Sequence, residues 1–133
     1  MNFVRNIFNS RSNKGGNFFI QIKHILGFKP LNMAYYKKAF THRSMNIRDK
    51  KGTPINYERL EFVGDAMLGA VIASHLFNEV PQGDEGYLTK MRSKIVSREH
   101  LNELGKELKL IDLVQSKIAK DNFGNNIHGN LFE

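Results

Sequence analysis

The sequence has no cysteine. That excludes disulfides, thiolate-bound zinc and a cysteine nucleophile, and it leaves oxygen and imidazole groups to hold any metal. Long apolar runs are also missing. The longest uncharged one, Ala66 to Ala73, is far short of the roughly 20 residues that cross a bilayer as a helix, so a soluble protein without a membrane partner is expected. No run alternates apolar and polar residues and no Asn-Gly pair joins two apolar segments, which points to an all-α fold. A phosphate-cradling glycine loop, an internal repeat and a recognisable RNA-binding module are likewise lacking. At 133 residues, 41% of them hydrophobic, the chain has the size of a single domain.

Acidic residues are absent from the first 48 positions, which hold nine of the twenty Lys and Arg. The formal net charge of +7 therefore belongs to the N-terminal third, and the remainder is slightly acidic. Such an excess suits a polyanionic partner. The acid-free start, with Arg5, Ser10, Arg11 and Ser12, also fits a mitochondrial transit peptide, but it lacks the central apolar run of a secretory signal. Absent cysteine is compatible with a reducing compartment, and the expected location is cytoplasmic.

Residues 1–17 are rich in Asn, Ser, Gly and basic groups, with Gly15-Gly16 as a breaker, and are expected to form a mobile basic extension. The domain proper is expected over 18–133. Phe18, Ile22, Ile25 and Leu26 share a helical face that Gly27 closes. Asn32 is placed to cap a second helix through Phe40 towards Thr41-His42-Arg43-Ser44. Residues 46–56 read as an exposed loop. A long helix follows from Tyr57 to about Phe77, then one capped by Asp84 and another capped by Ser97, in which Leu101, Leu104 and Leu108 share a face. A loop over 116–126 leads to a last helical segment from Ile127.

The long helix holds the clearest chemical signal. At about 100° per residue, Glu58, Glu61 and Asp65 fall on one face. Stacked like charges destabilise a helix by roughly 0.2–0.5 kcal/mol per pair, so they need solvation or a cation. Phe62, Leu60, Val63, Met67, Val71, Leu76 and Phe77 make the helix apolar nearly all round, which predicts burial. Buried carboxylates need a metal or a basic partner such as Arg59, and the residues alone leave both open. Gly64 and Gly69, costly inside a helix, suggest close approach of another backbone.

The stretch Tyr57-Glu58-Arg59-Leu60-Glu61-Phe62-Val63-Gly64-Asp65-Ala66 closely resembles the signature of the ribonuclease III family, in its bacterial form. Flanking segments agree in order: Ala39-Phe40-Thr41-His42-Arg43-Ser44, Pro81 with Asp84-Glu85-Gly86, Lys94-Ile95-Val96-Ser97-Arg98-Glu99 with Leu101, and Gly129-Asn130-Leu131-Phe132-Glu133. The resemblance spans about residues 22 to 133. It implies a helical endonuclease domain in which Glu61, Asp65 and Glu133 carry catalysis as Mg2+ ligands, with Asn130 beside them and Mn2+ as a substitute ion. Glu58 and Glu85 would line the same cleft. It further implies a homodimer acting on double-stranded RNA in ribosomal and messenger RNA processing, leaving staggered ends with 5′ phosphates and 3′ hydroxyls. Oxygen donors at i and i+4 plus one from a second helix suit that chemistry. None of the five histidines follows a glutamate by three residues, so a di-iron bundle is not indicated.

Two departures stand out. The family's second acidic motif reads Asp-x-x-Glu, whereas Asn130 holds its first position and removes a negative charge. The family's domain also runs on beyond this point, usually into a double-stranded RNA-binding domain, so a piece of a longer enzyme with a weakly held Glu133 is expected. Asn130 keeps a second reading alive, a catalytically silent RNA-binding scaffold. Arg43, Lys90, Lys94 and Arg98 are candidate phosphate contacts, weighed against a solvated face. His42 is expected to cap, His75 to pack or to lie in an interface, and Tyr35, Tyr36 and Phe40 to serve the core rather than stack on bases.

Overall fold

The computed structural model describes residues 14–133, and the part of the expected extension and transit-peptide reading that precedes them lies outside it. The described residues form six α-helices joined by loops and three short 3-10 turns. Their β-pairing is limited to isolated bridges, Thr41 with Gln115 and Arg48 with Pro54. The all-α expectation is met.

The described residues divide into two compact units, one ending at Lys37 and the other spanning Lys38–Glu133. In the first, α1 spans Lys14–Leu26, so it begins within the stretch expected to be irregular. Gly15-Gly16 does not break it, because the first turn has few intrahelical bonds for a glycine to weaken. Gly27, at φ 74°, ends it. Helix α2, Met33–Ala39, starts where the Asn32 side chain accepts from the Ala34 N–H at 3.1 Å. It stops short of the expected end. A separate 3-10 turn, Arg43–Met45, follows.

The second unit holds α3 (Glu58–Glu79), α4 (Glu85–Ile95), α5 (Arg98–Glu107) and α6 (Ile127–Phe132). The caps fall where expected: Asp84 accepts from the Tyr87 N–H and Ser97 from the His100 N–H. Helix α5 packs against α6, and both meet the 3-10 turn Leu110–Leu113, while α3 packs against α4. Leu101, Leu110, Leu113, Ile127 and Leu131 are buried there. Gly105 permits the α5–α6 contact, since a Cβ on it would strike the His128 carbonyl. Leu108 lies off this core and Tyr35 is exposed, contrary to expectation, whereas Phe40 is buried.

Helix α3 departs most from expectation. Only Leu76 is buried; Phe62 is 81% exposed and Phe77 72%, with Val63, Met67 and Val71 also open. The apolar pattern marks a face that the described residues leave open. The 22-residue α3 contains an 18-residue stretch with a mean hydropathy of 1.4, so it is long and apolar enough to span a bilayer by length and composition. The expectation drawn from the uncharged run alone missed this, because a span tolerates a few charges.

Candidate active site

The start of α3 is fixed by backbone bonds to distant loops. The Tyr57 N–H donates to the Thr41 carbonyl at 3.0 Å, the His42 N–H to Gln115 at 2.9 Å, and the Gln115 N–H to Phe40 at 2.8 Å. His42 accepts from the Ser44 N–H and is buried between the Tyr57 and Phe123 rings. Its expected capping role is realised on the 3-10 turn rather than at the end of α2. Burial lowers its pKa, helped by the charge of Arg43 and opposed by Glu58.

From this anchored start, α3 carries Glu58, Glu61 and Asp65 towards the end of α6. Contact is made backbone to backbone: a Cβ on Gly64 would collide with the Glu133 carbonyl. The close approach expected of Gly64 is therefore present, whereas Gly69 has nothing within 4 Å of the equivalent position. The Glu133 side chain is 2% exposed. Burial raises its pKa, the charge of Arg98 opposes this, and Asp65 and Glu61 push it further up. Burial also raises Glu61, again against Arg98 and with Glu58 and Asp65 adding to the rise. Three carboxylates from two helices thus act on one another.

Arg98, the first residue of α5, is the cation that Glu61 and Glu133 share. Its Nη1 donates to Asn130 Oδ1 at 2.7 Å and lies 3.1 Å from Glu133 Oε1. Arg98, a candidate phosphate contact weighed against a solvated face, turns this nitrogen to Asn130 and Glu133. Asn130 spends its carbonyl oxygen on Arg98 and also hydrogen bonds the buried Tyr57, whose pKa is raised mainly by burial. On the other side, the Asn102 side chain accepts the Gly129 N–H at 2.8 Å.

Glu58 sits at the edge of the cluster, paired with Arg43 at 3.6 Å, both well exposed. Glu85 is not drawn in: its side chain accepts from Thr89 on its own helix, and it is not among the charges acting on Glu61 or Glu133. Lys90 and Lys94 lie exposed on α4, and His75 is exposed on α3. Sequence reasoning missed the inward roles of Arg98, Tyr57 and Asn102. The neutral Asn130 beside Gly129 was the available signal, since an amide there suits a guanidinium lying against bare backbone.

The donors are all oxygens on a hard, anionic scaffold, which fits a hard divalent ion better than zinc or copper. Among the described residues, no three Asp, Glu or His side chains are drawn together closely enough to hold one as they stand. Arg98 takes up the nearest part of Glu133.

A helical domain with acidic residues of one long helix set against a second acidic helix end is the architecture of a ribonuclease III-type nuclease domain. A family model described as Ribonuclease-III-like matches residues 32–128, and the chain belongs to the ribonuclease III family. It is 68% identical over its whole length to the Ribonuclease 3 of Zunongwangia profunda, covering 55% of that protein. To the Ribonuclease 3 of Bacteroides fragilis it is 42% identical over 82% of the chain and 38% of the relative. The chain therefore spans about half the length, or less, of these curated relatives. Among solved structures, a nuclease domain of ribonuclease III from Campylobacter jejuni, described for flexibility in a region involved in dimer formation, superposes with a TM-score of 0.70 at 27% identity. That match covers 84% of this chain and 77% of the other.

Proposed function

We propose that this chain is the catalytic part of a cytoplasmic endoribonuclease that hydrolyses double-stranded RNA with a divalent ion, in ribosomal or messenger RNA processing. The observation that carries the proposal is the seating of Glu133 at Gly64, which joins its carboxylate electrically to Glu61 and Asp65. Glu61, Asp65 and Glu133 would hold Mg2+, or Mn2+ in its place. When bound, such an ion supplies an activated water and neutralises charge on the phosphate and the leaving 3′ oxygen. The residues themselves do the rest. Tyr57 and the Thr41 clamp orient the first turn of α3, burial keeps bulk water from Glu133, and Arg98 with Asn130 sets the register of α6 against α5. Products would carry 5′ phosphates and 3′ hydroxyls on staggered ends.

A homodimer belongs to the same proposal. The exposed Phe62, Val63, Met67, Val71 and Phe77 form an apolar surface that a second copy of α3 would cover. Arg43, Lys90 and Lys94 are the proposed phosphate contacts of the duplex. The test is cleavage of a long RNA duplex by the intact protein with Mg2+ or Mn2+. Binding without cutting under both ions would sink the enzyme reading. It would favour instead a silent RNA-binding scaffold, the reading that Asn130 and the engagement of Glu133 by Arg98 support.

A further inference from the structure

Arg98 is held in a way that ordinary surface ion pairs are not. One nitrogen, Nη1, serves both Asn130 and Glu133. Gly129 leaves the space it needs, because a Cβ there would stand 3.1 Å from that same nitrogen and 3.1 Å from Asn102 Oδ1. Its carboxylate partner is buried, while Arg98 keeps 42% of its side chain in solvent and so has a way out. A buried carboxylate with further carboxylates beside it requires a cation, and removing one partner of such a pair is strongly destabilising. Asn130 adds a second element. As an amide it accepts a hydrogen bond without fixing the guanidinium by charge, which an aspartate at that position would do.

We propose that Arg98 is the resident counter-cation of the acidic site: a positioning residue that holds Glu133 in the metal-free protein, yields it to an entering divalent ion, and stays tethered through Asn130. The inference rests on the reading of Glu61, Asp65 and Glu133 as ion ligands. A guanidinium and a divalent cation compete for the same Glu133 oxygens and repel each other. Metal affinity is thus set by an exchange of cations rather than by filling a bare acidic pocket. Arg98 also keeps the carboxylates from splaying apart before the ion arrives.

The test is calorimetric titration of the intact protein with MnCl2 and with MgCl2, without RNA, paired with melting curves of the metal-free form. Arg98→Gln, which keeps an amide for Asn130 but has no charge, should bind either ion about tenfold more tightly than the parent, the worth of one lost charged hydrogen bond. Its metal-free melting temperature should fall, and saturating ion should restore most of the loss. Arg98→Lys should stay near the parent in both readouts. Arg43→Gln, which removes an equal charge from the exposed Glu58 pair, should change affinity by less than about twofold. Equal or weaker ion binding by a folded Arg98→Gln overturns the exchange. Equal tightening by Arg43→Gln also overturns it, by reducing the effect to net charge. If the parent protein binds neither ion saturably, the ligand reading itself falls, an outcome distinct from the other two.

Discussion

The two ends of α3 behave as different materials. Its first two turns are tied down, by Tyr57 to Thr41 on one side and by Gly64 to Glu133 on the other. Beyond Asp65 the helix is largely bare, with Leu76 its one buried residue. One continuous helix thus has a fixed, charged end and an open, apolar length. The difference shows that apolar pattern alone does not say where a helix will be buried, only that something must cover it.

The strongest way to break the charged end is Glu61→Gln or Asp65→Asn. Each should lower cleavage of an RNA duplex by about a hundredfold or more, as expected for loss of preorganised transition-state stabilisation. Duplex affinity, measured by filter binding, should change little, because phosphate contacts dominate it. Next in size is Gly64→Val, which drives a side chain into the Glu133 backbone. A stability loss of about 1–3 kcal/mol is expected in chemical denaturation, with activity lost alongside. On the open length, Val71→Lys should shift the protein from dimer to monomer in sedimentation and remove the concentration dependence of its melting temperature. A protein that sediments as a monomer before mutation would refute the association half of the comparison.

Gly69→Ala supplies the internal control. With no neighbour within 4 Å, it should leave a single chain unchanged or stabilise it by up to about 1 kcal/mol, in contrast to Gly64 on the same helix. The smallest expected effect concerns pH. Burial lowers the pKa of His128, with the charge of Lys106 adding to it, and its Nδ1 has no hydrogen-bond partner. A depressed imidazole favours the fold in its neutral form. Its contribution is present above its ordinary value of 6.5 and is lost as pH falls through the lower folded value. Glu61 and Glu133 act with the opposite sign, since raised carboxyls contribute at low pH and lose that contribution as pH rises. The informative quantity is therefore the melting-temperature difference between the parent and His128→Asn, which should narrow from about pH 7.5 to about pH 5.5.

Much of this was legible in the residues. Asn32, Asp84 and Ser97 announced their helices because a cap is a local bond between a side chain and the next turn. The stacking of Glu61 with Asp65 followed from helical period. What could not be read was set by contacts across the chain. Whether Glu85 joins the site depends on the direction in which α4 leaves its turn, which no local rule fixes. Arg98 looked like one more basic residue among Lys90, Arg92 and Lys94, and only the arrival of α6 gives it Asn130 and Glu133. The coverage of α3 is not set by any contact among the described residues.

Glu61 and Glu133 stand 72 residues apart in the sequence, and the short α6 brings them together by resting one carbonyl on one glycine. Carbonyl against glycine is a contact of main chain, so replacing the Glu133 side chain should remove its charge and leave α6 seated.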